Sequence, residues 1–579
     1  MPPEGRSEFS FDASWPARDR LLPMALASAI LALAVLRPPE TYAWSGAACS
    51  VLLAAAGCLL MCGPGCLPPL PAWAAGLLPL AIASLALASC RARALDEAAA
   101  ALTLILAALL GRGLATERRA RDLLAGLLAA LGAVAAILAA LQHHVTYPDE
   151  LRALLETGDE TPLYVVARFQ AGRPSGPFTL PAALGGFFAL TLPLTLFVAR
   201  RSTGRWPRGL ALAGAVLQAY ALYLTRSFGG LIAVSVALIL TIPVLAPRRR
   251  GLLLAAAALA SVALVVSFLQ DRRAEVEAPG GHPLALRAGN WRAAGEMIRD
   301  HPLLGTGPGS FGTFYPRYLR PGMNETRYAH DSYLQVIAGW GLWSIVPLAG
   351  FLLAFMTRLR LAWRAAGDDL PFVAAGSGFL IHNLVDFTAY LPGVAIPSAI
   401  VIGAALRYSA EAPERLTPSE GAARPGPPGR RAMIVRSVPA IAALLVYLGG
   451  SLLSSRSEGL LDEARAAAAE GSVPEALALA RQASRARPDD PAARGFIAEW
   501  VLTHGMDDAA LREEGRQQAS EAVRLDPESA ILHYDLSLYH GAAREWAAAY
   551  RERYIAHSKF PLKEAYRLPE TVKAAETPP

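Results

Sequence analysis

Apolar runs of about 16–27 residues recur along this chain, each near the length that spans the hydrocarbon core of a bilayer. They lie at 21–36, 41–62, 70–89, 95–115, 122–142, 178–199, 208–225, 227–246, 251–269, 331–357, 370–391, 393–408 and 433–453. Lipid offers a backbone no hydrogen-bond partner, so a run of this length crosses it as a helix. The runs therefore predict an all-α chain, a polytopic transmembrane bundle of about 12–13 helices. Composition agrees: 54% of residues are hydrophobic and 18% charged, against about 25% charged in soluble domains. The net charge of +6 is small for 579 residues. The basic excess is mostly Arg in short loops without interleaved aromatics, which excludes nucleic acid as a partner.

Those arginines orient the helices. Arg112, Arg118, Arg119 and Arg121 share one loop, and Arg200, Arg201, Arg205 and Arg208 another. Arg248, Arg249 and Arg250 follow, then Arg358, Arg360 and Arg364, then Arg407, Arg415, Arg430, Arg431 and Arg436. With thirteen spans, all five clusters fall on one side, which the positive-inside rule makes cytoplasmic. Residues 1–20 are then cytoplasmic, while the loops 143–177 and 270–330 face outward. Arg91 and Arg93 sit on the outer side as an exception, accompanied by Asp96 and Glu97. The first run, Leu21 to Leu36, lacks a small-residue cleavage site and reads as a retained helix. The five cysteines, Cys49, Cys58, Cys62, Cys66 and Cys90, are an odd set that defines no disulfide framework. Cys58, Cys62 and Cys66 read as small side chains of a membrane helix running into the Gly63-Pro64-Gly65 break, rather than as a metal site.

A membrane core over 21–408 is followed by a cytoplasmic Pro/Gly-rich linker at 409–432 and a final span at 433–453. From 454 to 560 the chain is Ala-rich, charged and helical in period, with a short tail at 561–579. Pro488 and Pro527 close two successive cycles 39 residues apart, a little beyond the 34 of a tetratricopeptide repeat. The His504–Asp508 stretch absorbs the excess. The region reads as a divergent outward-facing repeat module, with a generic Ala-rich helical bundle as the alternative.

The most distinctive polar stretch runs from Arg287 to Gly341, among hydrophobic segments. It carries Arg287, Trp291, Arg292, Arg317, Arg320 and Arg327, then His330, Asp331 and Ser332. Arg173 and Arg226 lie at other outward helix junctions. Arginine keeps its charge and binds phosphate oxygens bidentately, so several converging near the outer boundary suit a pyrophosphate. Snorkelling to lipid phosphates is the alternative use of each. Gly305, Gly307, Gly309 and Gly312 let the backbone approach a ligand closely, although no GK[ST] follows to make a nucleotide loop. His330 titrates near neutrality and suits a general base, or alternatively caps a helix at the interface.

These residues resemble the O-antigen ligase and polymerase family of bacterial envelope proteins. Its loop has the form Arg…Trp…HisProLeuxGlyxGlyxGlyxPhe, matched by Arg287, Trp291, His301, Pro302, Leu303, Gly305, Gly307, Gly309 and Phe311. A His opening the next helix follows, matched by His330, with Tyr333, Leu334 and Gly341 in register. Asp331 stands where Asn, Ser or Gln is more usual, and Gly339 where many members have Glu. Arg173-Pro174-Ser175-Gly176-Pro177-Phe178 and the Thr225–Gly230 segment resemble two further motifs. In the second, Phe228 takes the usual Arg place and Arg226 lies two residues earlier. His382–Phe387 resembles a later family helix. The similarity covers roughly 165–405.

The resemblance implies a GT-C-like glycosyltransferase that takes a glycan from undecaprenyl pyrophosphate. The acceptor would be a hydroxyl of lipid A-core, another glycan or a protein. It implies no cofactor and no metal. His330 and Arg287 would be catalytic. Arg173, Arg226, Trp291, Arg292, Gly305, Gly307, Gly309, Arg327 and Asp331 would bind substrate. The protein would sit in the bacterial inner membrane with its repeats in the periplasm, where they would recruit envelope glycan-assembly proteins. Two other classes remain: a lipid-linked glycan transporter or flippase, for which Asp386 is the nearest mid-membrane charge, and a non-catalytic scaffold acting through the repeats.

Overall fold

The computed structural model describes residues 18–62, 72–157, 169–245, 247–249, 251, 283–406 and 430–567. All but the first residue of the 251–269 run, together with Cys66 and the Gly63-Pro64-Gly65 break, lies outside them. The first helices are α1 (Arg18–Leu36), α2 (Ala43–Cys62), α3 (Ala72–Ala86), α4 (Arg91–Leu114), α5 (Arg118–Leu141) and α6 (Tyr147–Thr157). Next come α7 (Pro181–Arg201), α8 (Arg205–Thr225), α9 (Phe228–Leu245), α10 (Pro283–Asp300), α11 (Ser332–Trp340) and α12 (Ile345–Ala365). Then α13 (Leu370–His382), α14 (Pro392–Ala405) and α15 (Arg430–Ala469) lead into the repeats. Among the described residues, five helical stretches are long and apolar enough to cross a membrane: 91–114, 118–154, 181–201, 228–245 and 342–365. Five shorter apolar helices accompany them.

Helix α7 is the centre of the bundle, buried nearly all round by α5, α8, α9 and α13. Apolar side chains gain little from association in lipid, so close backbone approach and interhelical hydrogen bonds hold such a bundle together. Both occur. A Cβ at Gly111 of α4 would lie 1.9 Å from the Ile400 carbonyl oxygen of α14, and one at Gly403 would lie 1.8 Å from that of Ala108. These two glycines set the α4–α14 crossing. Between α7 and α8, Thr191 donates to Gln218 Oε1 (2.8 Å) and Gln218 Nε2 donates to Thr195 (2.9 Å).

The arginine-rich loops gather at one end, as expected from their spacing. Arg121 (2.6 Å) and Arg358 (2.5 Å) share Asp369, while Arg201 (3.0 Å) and Arg118 (3.5 Å) share Asp368. Arg200 donates to the Leu245 carbonyl at the end of α9, and Arg358 to that of Ala405 at the end of α14. The described residues that flank these loops therefore gather at the same end of the bundle.

Four expectations about helix boundaries change. Helix α5 continues through a π-turn at Gln142–Thr146 into α6, so the first outward loop begins as a helical extension. The 270–330 loop contains the 18-residue α10. The 370–391 run ends as a helix at His382, and a non-helical turn precedes α14. The 331–357 run is two helices, so His330 opens the nine-residue α11 and the membrane span begins after it. The break falls at Gly341, whose φ is 92°. A Cβ there would lie 2.1 Å from the Leu303 carbonyl oxygen.

Helix α15 is continuous for 40 residues, so the last apolar run passes into the C-terminal helix pairs without a break. Its C-terminal part packs on α16 (Val473–Ala486). The next pair is α17 (Pro491–His504) with α18 (Ala509–Leu525), and the last is α19 (Ala530–Ala542) with α20 (Trp546–Lys559). Arg487 and Asp526 end the second helix of successive pairs, each just before a proline. Both reach the first turns of α4. Arg487 binds Asp96 (2.8 Å) and the Ala92 carbonyl (3.0 Å), and Asp526 binds Arg93 (2.5 Å). Arg317 pairs with Glu528, which also holds Lys559 (2.8 Å). Arg93, one of the two arginines that broke the loop-charge pattern, and Asp96 beside it thus dock the C-terminal helix pairs. Breaking a buried pair costs ~3–5 kcal/mol. With Arg93 one-third exposed, Asp526→Ala is expected to weaken docking by about 2 kcal/mol. Faster proteolysis of the repeats in detergent, restored by Arg93→Asp with Asp526→Arg, is the measurement.

Candidate active site

The site is built where α10, α11 and the turn after α13 meet, at the end opposite the arginine loops. Asp331 caps α11, accepting from the backbone N–H of Tyr333 (2.9 Å) and Leu334 (3.0 Å). His330 immediately before it has φ 55°, a left-handed conformation that costs a non-glycine residue about 1–2 kcal/mol. Its neighbours hold it there. Trp291 of α10 donates from its indole to the His330 carbonyl (3.2 Å), the Ala329 N–H donates to Gln335 (2.7 Å), and the Ser332 N–H donates to the Asn383 carbonyl (2.9 Å).

The imidazole of His330 stands edge-on to Phe387, with ring centroids 4.8 Å apart. Its Nδ1 is buried without a hydrogen-bond partner. Burial pushes the ring below the ordinary histidine range. The nearby Asp386 carboxylate works against this and Arg287 adds to it. Arg287 projects from α10 to Asp386 (3.4 Å), whose side chain is almost fully buried. Ser332 donates to Asn383 Oδ1 (2.6 Å) and to the Asp386 carbonyl (3.2 Å), fixing the turn that carries the acid. A neutral imidazole with a free nitrogen beside a held guanidinium can take a proton from one partner while the cation receives negative charge on another.

The other candidates divide. Arg173 donates from Nε to the Thr225 carbonyl (2.9 Å), which places it beside Arg226, the left-handed residue ending α8. This pair adjoins the Asp386 turn, because a Cβ at Gly229 would lie 3.0 Å from Val385. Arg292 points elsewhere, bracing α10 through Glu296 (3.1 Å) and the Tyr318 carbonyl (3.2 Å). Gly305, Gly307 and Gly309, all with positive φ, clasp the far end of α11 and the start of α4. The N–H of Thr306 binds the Ala338 carbonyl (2.9 Å), and a Cβ at Gly309 would lie 2.8 Å from that of Arg93. Along α11 this is roughly 12 Å from His330. Arg327 is exposed and lines a cavity of about 1410 Å³ that runs down between α2, α4, α14 and α15.

Sequence reasoning did not assign Asp386, Asn383, Ser332 or Phe387 to the site. An acid in an apolar run is costly and usually partnered, which was the available signal for Asp386.

A multi-pass helical membrane protein with a His–Arg–Asp cluster at one end is the class these features define. Within it, residues 213–349 match the family model described as O-Antigen ligase. That matched span contains the whole 287–341 segment and Arg226. No curated protein matches the chain. A Cβ at Gly339 would pack 3.6 Å from the Gly307 carbonyl oxygen and the Pro308 Cα, and 3.9 Å from Oε1 of Glu97 on α4.

Capping explains why small polar residues are usual at position 331. Asp331→Ala is expected to destabilise the protein by about 1 kcal/mol and Asp331→Asn by only a few tenths, read as thermal shifts in detergent.

Proposed function

We propose that this protein transfers a glycan from undecaprenyl pyrophosphate to an acceptor hydroxyl at the outer face of the bacterial inner membrane. The observation that carries the reading is the unpartnered Nδ1 of His330 beside the Arg287–Asp386 pair, within the O-antigen ligase domain. His330 takes the acceptor's proton as its oxygen attacks the anomeric carbon. The C–O bond to phosphate breaks, and the pyrophosphate leaves with the bonding pair. Arg287, with Arg173 and Arg226 at the neighbouring junction, receives that charge. The proton on His330 then passes to solvent or to the leaving group. Asp386 keeps Arg287 extended toward the site before the donor arrives.

The outward location rests on the arginine loops gathering at the opposite end, which the positive-inside rule assigns to the cytoplasm. The repeats then lie in the periplasm. Their paired-helix build suits protein recognition, with envelope glycan-assembly proteins as the partners, and it accords with a tetratricopeptide-like module. Ligation to lipid A-core, chain polymerisation and protein O-glycosylation all use this chemistry.

His330→Ala and Arg287→Ala are each expected to lower transfer by ~10²–10⁴-fold while membrane insertion is unchanged. Release of undecaprenyl pyrophosphate from reconstituted protein is the readout, and full activity in both variants would sink the assignment. A neutral base loses activity as pH falls through its pKa, so the acid limb of the rate profile is expected below about 6.5. Asp386 favours the imidazolium, so Asp386→Asn is expected to move that limb to still lower pH.

A further inference from the structure

The turn that carries Arg173 lies along the end of α5, and the π-turn at Gln142–Thr146 meets it at successive points. The Gln142 amide makes three hydrogen bonds to its backbone. Oε1 accepts from the N–H of Ser175 (3.1 Å) and of Gly176 (2.8 Å), and Nε2 donates to the Gly176 carbonyl (2.7 Å). His143, the next residue, meets the Gly172 carbonyl through Nδ1 (2.6 Å). A carbonyl oxygen can only accept, so Nδ1 carries a proton. Tyr147 completes the row, edge-on to Phe169 with centroids 5.3 Å apart.

Arg173 is thereby bracketed. The backbone just before it is tied to His143, and the backbone two and three residues after it to Gln142. Both brackets need glycine: Gly172 and Gly176 have φ of 58° and 59°. A Cβ at Gly176 would also lie 3.1 Å from the Ala135 carbonyl oxygen of α5. The π-turn makes the row possible. It bonds the Tyr147 N–H to the Gln142 carbonyl, five residues back, and so admits one more residue per turn than an α-helix. Gln142 and Tyr147, which would stand about 140° apart on an α-helix, come closer to one face. His144 turns away from the bracket, to the Tyr220 hydroxyl (2.6 Å). Single π-turns inside α-helices are rare and cluster at functional sites.

What the bracket fixes is the place of Arg173, whose Nε donates to the Thr225 carbonyl (2.9 Å) beside Arg226. A guanidinium on an untethered turn has to be ordered by its ligand, at a cost in affinity. Here the turn is ordered beforehand. We propose that Gln142 and His143 are positioning residues that hold Arg173 beside Arg226, so that the two guanidiniums meet a lipid pyrophosphate as a fixed pair. The proposal rests on the glycan-transfer reading for the assignment of Arg173 to the donor. Gln142 and His143 act through the backbone of the turn and not on the donor itself.

The test uses the full-length protein in bilayer nanodiscs. The Kd for undecaprenyl pyrophosphate is measured beside that for undecaprenol, and the transfer assay supplies kcat and the KM of each substrate. Gln142→Met keeps the volume and removes all three hydrogen bonds. It is expected to raise the pyrophosphate Kd and the donor KM about tenfold, with the acceptor KM and the undecaprenol Kd unchanged. His143→Leu is expected to raise the same two constants about fivefold. His143→Asn, whose amide nitrogen falls where Nδ1 lies, is expected to restore them, and His144→Ala to leave them unchanged. Added to Arg173→Ala, Gln142→Met is expected to raise them no further, because a residue that acts through Arg173 then has nothing to position. An unchanged pyrophosphate Kd in Gln142→Met overturns the proposal, as does a lower kcat with both KM values unmoved, or a full additional effect in the double variant. If Arg173→Ala itself leaves the pyrophosphate Kd unchanged, the donor role of Arg173 falls and the proposal with it. If the unmodified protein transfers no glycan, the transfer reading fails, and the pyrophosphate Kd values still decide the role of Gln142 and His143.

Discussion

The first two turns of α4 hold together the half of this protein opposite the arginine loops. Arg93 binds Asp526 and also Thr313, Asp96 binds Arg487, and Glu97 binds Trp340. Three neighbouring residues thus fix the repeats, the 301–331 segment and the end of α11 against one membrane helix. Burying such charges is costly unless each is met by its opposite. That requirement specifies one arrangement, because Arg487 and Asp526 occupy equivalent places in successive helix pairs yet carry opposite charge. A repeat module shifted by one pair would set like charges together.

The site depends on a second constraint, the shortness of α11. Had the apolar run been one helix through 357, Gly341 would carry helical φ and the 302–309 strap would have no place. The break lets Leu342 bind the Pro302 carbonyl (2.8 Å), and the glycines beside it pack backbone to backbone. With both ends of α11 fixed, the strained His330 stays aimed at Phe387 and the Asp386 turn. Strain of this kind persists where surrounding contacts over-determine it.

Much of this was readable in the chain. Span length located most of the membrane helices, because lipid leaves the backbone few options. Among the described residues, the arginines around Arg121, Arg201 and Arg358 share one end. His330, Arg287 and Trp291 were singled out from one segment, and they come together. The glycines of that segment were legible as places of close approach, yet what approaches them is α11 and α4 rather than a ligand in view. Arg287 was expected to be catalytic and Arg292, five residues away on the same helix, to bind substrate. Only the neighbours on each face of α10 separate a brace from a site residue.

By itself, then, the sequence determined an all-α membrane chain, the grouping of its loops, the three helix pairs after the last apolar run and the segment that bears the site. Those features follow from local length, charge and period. The tertiary structure alone decided where the 331–357 run breaks, which acid holds Arg287 and why Arg93 sits where loop charge disfavours it. It also decided that the C-terminal helix pairs form part of the wall of the cavity beside α4 and α14. Each of these is settled by a group tens to hundreds of residues away: Leu303 for Gly341, Asp386 for Arg287, Asp526 for Arg93. Packing and charge neutralisation between distant segments leave no mark on the local pattern of either one.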